Sequence, residues 1–333
     1  MVPLSRTPLS AHSVSFVIPV LDESESLRTL HAAIAEVCQT EQIQRQIIFV
    51  DDGSRDDSWQ VIEAIAEADP SVCAIKLRRN FGKAAALSAG FEVAKNEIVI
   101  TMDADLQDDP KEIPRFLEQL ELNKDVVSGW KRVRHDPWHK VLPSRVFNWL
   151  VSRMTGVHLH DHNCGFKAYR REIFDEVKLY GELHRFVPVL SAAKGWRVGE
   201  IEVEHHARRF GHSKYGVSRL IKGFLDLMTI YFLTGYSRRP LHLIGTAGMI
   251  FFSFGGLGIV SLSAWWVISR SSASIEDIHL HETAIFYYCI VAVLLGAQFL
   301  LAGLLAELIV SLSRDTQTPF SVAKRIGHQS KQA

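Results

Sequence analysis

Asp103-Ala104-Asp105 sets two carboxylates one residue apart, directly after the apolar run EIVITM at residues 97–102. Carboxylates so spaced at a strand end can hold a hard divalent cation. Mg²⁺ and Mn²⁺ prefer oxygen ligands and bridge substrate phosphates. Gln107, two residues on, could add another oxygen. A DxD alone is common, and its weight here comes from its position. Other acids recur in the same setting: Asp22 and Glu23 follow the apolar residues 14–21, and Asp51 and Asp52 follow Ile47–Val50. One acid after a strand is usually a turn former or helix cap, but three such clusters on one edge are less easily explained that way. A basic counterpart lies at Arg208-Arg209-Phe210-Gly211-His212-Ser213-Lys214-Tyr215. Its cations would meet phosphates of a nucleotide or a lipid headgroup, or serve only anionic lipid beside a membrane. Neither GxGxxG nor GxxxxGK[ST] is present, and the glycines of Asn80–Gly90 (NFGKAAALSAG) follow another arrangement. A nucleotide would therefore be held by acids and a metal.

The elements that must position these residues are legible. Val14–Val20, Ile47–Val50, Cys73–Leu77 and Ile98–Met102 read as strands, continuous in apolar character. Between them, Leu27, Leu30, Ile34 and Val37 share one helix face, Val61, Ile62 and Ile65 a second, and Ile113, Phe116, Leu117 and Leu120 a third. Alternation of this kind predicts an α/β fold with a doubly wound, mostly parallel sheet. Such sheets bind ligands at the carboxyl ends of their strands, where the acids cluster.

The chain has 333 residues, enough for about two domains at roughly 150 residues each. Lys plus Arg and Asp plus Glu both number 37, so a nucleic-acid partner is not expected. With 47% apolar and 22% charged residues, the chain is not disordered. Cys38, Cys73, Cys164 and Cys289 lie far apart and form no disulfide framework or zinc spacing.

Two runs set the C-terminal third apart. Leu241–Ile268 has no charged residue, and Ala284–Leu312 has only Glu307. Each exceeds the ~20 residues that cross a bilayer. Gly245, Gly248, Gly255, Gly256 and Gly258 suit close helix packing, within the chain or in a homo-oligomer. Arg238 and Arg239 precede the first run, and Arg314, Lys324 and Arg325 follow the second. The connecting loop, 269–283, has one basic residue and three acidic ones. That asymmetry predicts both termini in the cytoplasm of a multi-pass cell (inner) membrane protein. The short apolar stretch at 14–21 is not expected to be a signal peptide. Ser218–Tyr236 reads as an amphipathic helix in the membrane interface, or as one packed on the soluble domain. The predicted organisation is a tail (1–13), a soluble domain (14–217), a juxtamembrane helix (218–240), two membrane helices within 241–312 and a second tail (313–333).

The pieces VIPVLDESESL, VDDGSRDDS, RNFGKAAALSAG, MDADLQDDP, VSGWKR, NCGFKAYRRE and RRFGHSKYG occur in this order between residues 17 and 216. Together they resemble family-2 glycosyltransferases, and more closely the polyprenyl-phosphate glycosyltransferases that build dolichyl- or undecaprenyl-phosphate sugars. The resemblance implies a GT-A-like fold with two C-terminal membrane helices. It also implies that Pro19, Glu23, Val50 and Asp52 line the base and ribose pocket, and that Asp103, Ala104, Asp105 and Gln107 hold Mg²⁺ or Mn²⁺ and diphosphate. Lys131 stands where the family often has an arginine near the donor, and Arg208 and Lys214 match its phosphate-binding pair. Two departures stand out. The usual YNE is Leu21-Asp22-Glu23, and an aspartate that serves some bacterial members as candidate base is Gly165. Asp161 matches a dolichyl-type aspartate and is a candidate catalytic or structural acid.

The reaction so implied is transfer of a sugar, with inversion, from a nucleotide diphosphate to polyprenyl phosphate. A UDP-hexose is the favoured donor and GDP-mannose the alternative. The acceptor phosphate has a second pKa of about 6, so it is ionised near neutrality without a strong base. A processive polysaccharide synthase would carry QxxRW, which Gly195-Trp196-Arg197 lacks. A transporter of lipid-linked sugars would need more polar spans.

Overall fold

The computed structural model describes residues 13–132, 138–177, 183–206, 218–232, 234, 240–271 and 279–313. Two compact units divide the chain, 1–230 and 231–333.

In the first unit, β-branched runs too apolar for a solvent-facing strand form the centre of a sheet. These are β1 (Ser13–Val20), β2 (Gln44–Asp51), β3 (Val72–Lys76) and β4 (Ile98–Thr101). Between them run α1 (Leu27–Thr40), α2 (Ser58–Ala68) and α3 (Lys83–Val93). There follow α4 (Ile113–Glu121), β5 (Val126–Trp130), α5 (Trp138–Thr155), β6 (Lys167–Arg170), α6 (Ile173–Glu176), α7 (Val187–Ala193), β7 (Val198–Glu202) and α8 (Ser218–Tyr231). The expected helix faces are the buried ones: Leu27, Leu30 and Ile34 on α1, Ile62 and Ile65 on α2, and Ile113, Phe116, Leu117 and Leu120 on α4.

The sheet order is β3-β2-β1-β4-β6-β5-β7. One core cluster gathers residues of α1, α2 and α4, and another gathers residues of α3, α6 and α7. The sheet is thus covered on both faces, which lets its strands be apolar throughout. All pairings are parallel except those of β6, which runs against β4 and β5. This reversal matters for the site. Lys167, the first residue of β6, lies opposite Thr101, the last residue of β4. The chain also reverses its winding direction between β1 and β4, and in open α/β sheets ligands sit at that point.

Of the 218–240 segment expected to be a juxtamembrane helix, residues 218–231 form α8. Leu227 and Ile230 are fully buried, whereas Leu225 is exposed.

The second unit is a helical hairpin of α9 (Pro240–Ser271) and α10 (Ala284–Ser313). Both helices are long and apolar enough to cross a membrane, with mean hydropathy of 1.9 and 2.4 over their most apolar stretches. Phe254, Leu257, Leu301 and Ile309 point outward and are more than half exposed. Such a surface is stable in lipid rather than in water. Gly248, Gly255 and Gly296 let the helices approach closely. A Cβ at Gly248 would lie 2.9 Å from the Gly296 carbonyl oxygen, and one at Gly255 2.6 Å from that of Cys289. Gly256 faces open space. The Glu307 carboxylate accepts the Leu241 N–H at 3.4 Å, satisfying one of the unpaired donors at the start of α9.

Candidate active site

A cleft of about 510 Å³ opens at the carboxyl ends of β1, β2 and β3. Its walls come from Leu21 and Asp22, from Gly53-Ser54-Arg55, and from residues 76–80. Asp22 is held at φ +57° by its neighbours. Its N–H donates to Ser54 Oγ at 3.0 Å, and its carboxylate accepts the Arg55 N–H at 2.8 Å. Gly53 takes φ +75°, and a Cβ there would come within 2.6 Å of the Arg79 backbone, so this turn requires glycine.

The residues expected to line the nucleoside pocket divide in role. Pro19 is half-buried beside Val50 in the β1–β2 register. Glu23 follows the cleft-lining Asp22, with its N–H on Ser58 Oγ at 2.9 Å. Val50 is different: its side chain lies in the core with Val17, Ile48 and Ala86 and does not face the cleft. Asp52 is buried, and its carboxylate accepts the N–H groups of Phe81 at 2.7 Å and Gly82 at 2.9 Å. Its visible work is to fix the loop that starts α3.

That loop delivers Lys83, whose ammonium pairs with Asp103. Burial favours the neutral form of Asp103, but Lys83, with Lys131 and His184, outweighs it and holds the carboxyl down at about 2. Ala104 is packed in the core between the two acids. The Asp105 carboxylate accepts the Gln107 N–H at 3.3 Å. The Gln107 amide nitrogen donates to the His206 carbonyl at 3.4 Å, and its side-chain oxygen has no partner among the described residues. Lys131 Nζ lies 2.9 Å from the fully buried carboxylate of Asp108. Burial disfavours the ammonium, yet Asp108 more than compensates and raises its pKa, so this cation is permanent.

Asp103, Asp105 and Gln107 each carry a side-chain oxygen that could ligate a cation, with Asp103 kept ionised and one of its oxygens paired with Lys83. That donor set suits Mg²⁺ or Mn²⁺. A further group, Asp109, Glu204 and His206, has its ligand atoms within 4.8 Å of one another, with His206 Nε2 3.2 Å from Asp109. It joins the acidic loop to the chain leaving β7.

The third wall is the start of β6. Thr101 Oγ1 donates to the Gly165 carbonyl at 2.7 Å, which draws residue 165 against the acids. A Cβ at Gly165 would lie 2.6 Å from Asp103 Oδ2. Lys167 is 3% exposed, and its ammonium donates to the carbonyls of His162 at 3.2 Å and Cys164 at 2.5 Å. Asp161, 2% exposed, accepts the Asn163 N–H at 3.1 Å and donates its own N–H to Glu200 at 3.1 Å. These contacts organise the turn into β6. Arg208 and Lys214 lie outside the described residues.

The Asp103 carboxylate thus lies against Gly165 and feels the charge of Lys131, whose own partner is Asp108. Lys83, Lys167 and His184 join them without having been expected there. For Lys83 the available signal was a lysine directly after Gly82, at the first turn of a helix following a strand.

Three comparisons bear on this arrangement. The profile described as "Glycosyl transferase family 2" matches residues 15–178. A protein of Rhizobium johnstonii named dodecaprenyl-phosphate galacturonate synthase is 33% identical over 99% of this chain and 97% of its own length. A Pseudomonas fluorescens (strain SBW25) protein named undecaprenyl-phosphate 4-deoxy-4-formamido-L-arabinose transferase is 39% identical over 93% of this chain and 88% of its own. Among solved structures, glucosyl-3-phosphoglycerate synthase from Mycobacterium tuberculosis, in complex with Mn²⁺, UDP-glucose and phosphoglyceric acid, has a TM-score of 0.53 at 17% identity. That likeness covers 68% of this chain and 80% of the other, and it concerns the fold.

Proposed function

The chain belongs to glycosyl transferase family 2, and from that premise we propose that it is a membrane-bound, inverting glycosyltransferase that moves a sugar from a nucleotide diphosphate to polyprenyl phosphate. The observation that carries this reading is the convergence on one sheet edge of a 510 Å³ cleft, an ionised Asp103 and the cations Lys83 and Lys131, in a chain with two helices long and apolar enough to cross a membrane. Full-length similarity to two polyprenyl-phosphate sugar transferases supports it.

In this reading the nucleoside enters the cleft beside Asp22 and Gly53, with Pro19 and Glu23 at its floor and rim. Val50 and Asp52 support it from below. Asp103, Asp105 and Gln107 would hold Mg²⁺ or Mn²⁺, which neutralises charge on the leaving diphosphate when bound. Lys131, fixed by Asp108, adds a permanent positive charge beside Asp103. Arg208 and Lys214, which match the family's phosphate-binding pair, take that role here. An acceptor phosphate oxygen attacks the anomeric carbon as the bond from that carbon to the diphosphate oxygen breaks. The nucleoside diphosphate leaves, and the sugar inverts. No base is needed at residue 165, because the acceptor is already ionised at neutral pH. Asp161 is then a positioning acid for the 160–164 turn.

A UDP-hexose is the favoured donor in this reading, with GDP-mannose the alternative. An acidic and a formamido sugar are named for the two relatives, so the donor sugar must be read from the site itself. The active domain and both termini face the cytoplasm, and the loop between the membrane helices faces outward. Self-association through the open Gly256 face is compatible with this arrangement. The stereochemical test is the anomeric configuration of the lipid-linked product. A configuration opposite to the donor's is expected, and retention would rule out single displacement. A reporter active only in the cytoplasm should work when fused after residue 333 and fail when inserted between residues 271 and 279. The reverse pattern would overturn the topology.

A further inference from the structure

The order of strands fixes the order in which a donor meets the site. The nucleoside cleft occupies the ends of β3, β2 and β1, and the paired acids follow β4. The next strand edge belongs to β6, so a nucleotide sugar laid across the sheet with its diphosphate at Asp103 places its sugar there. At that position lies a small pocket of about 20 Å³, room for one water-sized group.

The lining of this pocket is strongly one-signed. Among the described lining residues, Lys83, Lys167 and Arg185 contribute cations and none is Asp or Glu, although Asp103, paired with Lys83, lies against the lining residue Gly165. Lys83 is engaged with Asp103. Lys167 makes no ion pair among the described residues: its two hydrogen bonds end on backbone carbonyls, whereas an ammonium carries three donors, and Asp161 and Asp103 act on it only through space. Burying a cation without a carboxylate partner costs stability, and neutral sugar hydroxyls do not require one. Burial lowers the Lys167 ammonium to about 8, so it stays mostly charged near neutrality, and an incoming anion would remove the penalty. Thr101 and Asn163 add neutral hydrogen-bonding groups to the same wall.

We propose that this pocket receives the carboxylate of a uronic-acid donor, with Lys167 and Arg185 as the residues that select an acidic sugar over its neutral counterpart. The inference rests on the donor reading given above and names the sugar class within it. Lys167 supplies the buried charge, and Arg185 supplies a planar guanidinium whose geometry matches a carboxylate.

The test uses the full-length protein in detergent with Mn²⁺ and measures equilibrium binding of two matched pairs, UDP-galactose with UDP-galacturonate and GDP-mannose with GDP-mannuronate. Within the pair whose base the protein accepts, the uronate should bind at least about tenfold more tightly, as befits a charge-assisted contact. Lys167→Gln should reduce that ratio to near one, and Lys167→Arg should preserve most of it. Equal or weaker binding of the uronate by the unsubstituted protein overturns the proposal and leaves the glycosyltransferase reading standing. Failure of all four compounds to bind defeats the nucleotide-sugar reading and the proposal together. If Lys167→Gln keeps the ratio but raises the KM for polyprenyl phosphate, the cation serves the acceptor and the proposal is wrong. Should Lys167→Gln not fold, the ratio measured on the unsubstituted protein decides alone.

Discussion

An added Cβ at Gly165 would come within 2.6 Å of one Asp103 oxygen and 2.8 Å of its carboxyl carbon. The residue that some relatives use as a candidate base therefore has no space here. Gly165→Asp should displace Asp103 and lower kcat/KM by roughly 10²-fold, as a misplacement near 1 Å does, rather than supply a base. Steady-state label transfer would show this, and a gain in rate would indicate that the carboxylate at 165 can act. A second residue-scale prediction concerns His162. Burial, with Lys167 nearby, pushes its ring down to about 3. An unfolded histidine titrates near pH 6.5, so between these values the unfolded chain binds the proton and the folded chain does not. The stability of the neutral buried ring is complete above about 6.5 and is lost as pH falls, by about 2 kcal/mol at pH 5. His184 is shifted the same way by burial and nearby cations. Urea unfolding between pH 7.5 and 5 should show the fall, and His162→Asn should reduce it by about 2 kcal/mol at pH 5, leaving the part that comes from His184.

At the scale of elements, the start of α3 is held from outside the helix. Gly82 caps it with no side chain, and Asp52, at the end of β2, accepts the N–H groups of residues 81 and 82. Asp52→Ala should cost about 2 kcal/mol, the size of a lost cap with charge-assisted bonds, and raise the donor KM because Lys83 follows directly. Thermal unfolding and donor titration together check both parts; an unchanged KM would place Asp52 outside the positioning of Lys83. The membrane hairpin offers a parallel case. A Cβ at Gly296 would lie 2.5 Å from the Phe252 nitrogen and 2.8 Å from the Gly248 oxygen, so Gly296→Val should force the helices apart. Lower thermal stability in detergent is expected, and an unchanged melting temperature would show that α9 and α10 do not need this contact. These cases also mark how far the sequence could be read. Asp103 and Asp105 stood out because three acidic clusters recur after apolar strands, whereas Lys131 was named only through the family resemblance. The four strands β1–β4 and the faces of α1, α2 and α4 were clear from periodicity. Val50 and Asp52 were placed correctly along the chain, but which side of the strand end they face depends on pleat and register. The antiparallel β6, and with it Lys167, was hidden because a four-residue strand carries too little pattern to show its direction.

At the scale of the molecule, the chain combines a sheet-edge site that suits a nucleotide sugar with helices that suit a bilayer. Neither feature alone specifies the acceptor. Together they favour a phosphate borne on a lipid, which brings a charged nucleophile to a site on a membrane-bound protein. Full-length coverage by the polyprenyl-phosphate relatives agrees with this pairing. The most direct measurement is a lipid-extraction assay. The purified full-length protein would be mixed with Mn²⁺ or Mg²⁺, polyprenyl phosphate and labelled nucleotide sugars, neutral and acidic, carrying uridine or guanosine. Label is expected in the organic phase only when metal and polyprenyl phosphate are both present, and Asp105→Ala should abolish at least 99% of it, the ~10²-fold loss expected when diphosphate stabilisation fails. Nucleotide release with no lipid-borne label, or lipid labelling that persists at full rate in Asp105→Ala with metal chelated, would contradict the proposed reaction.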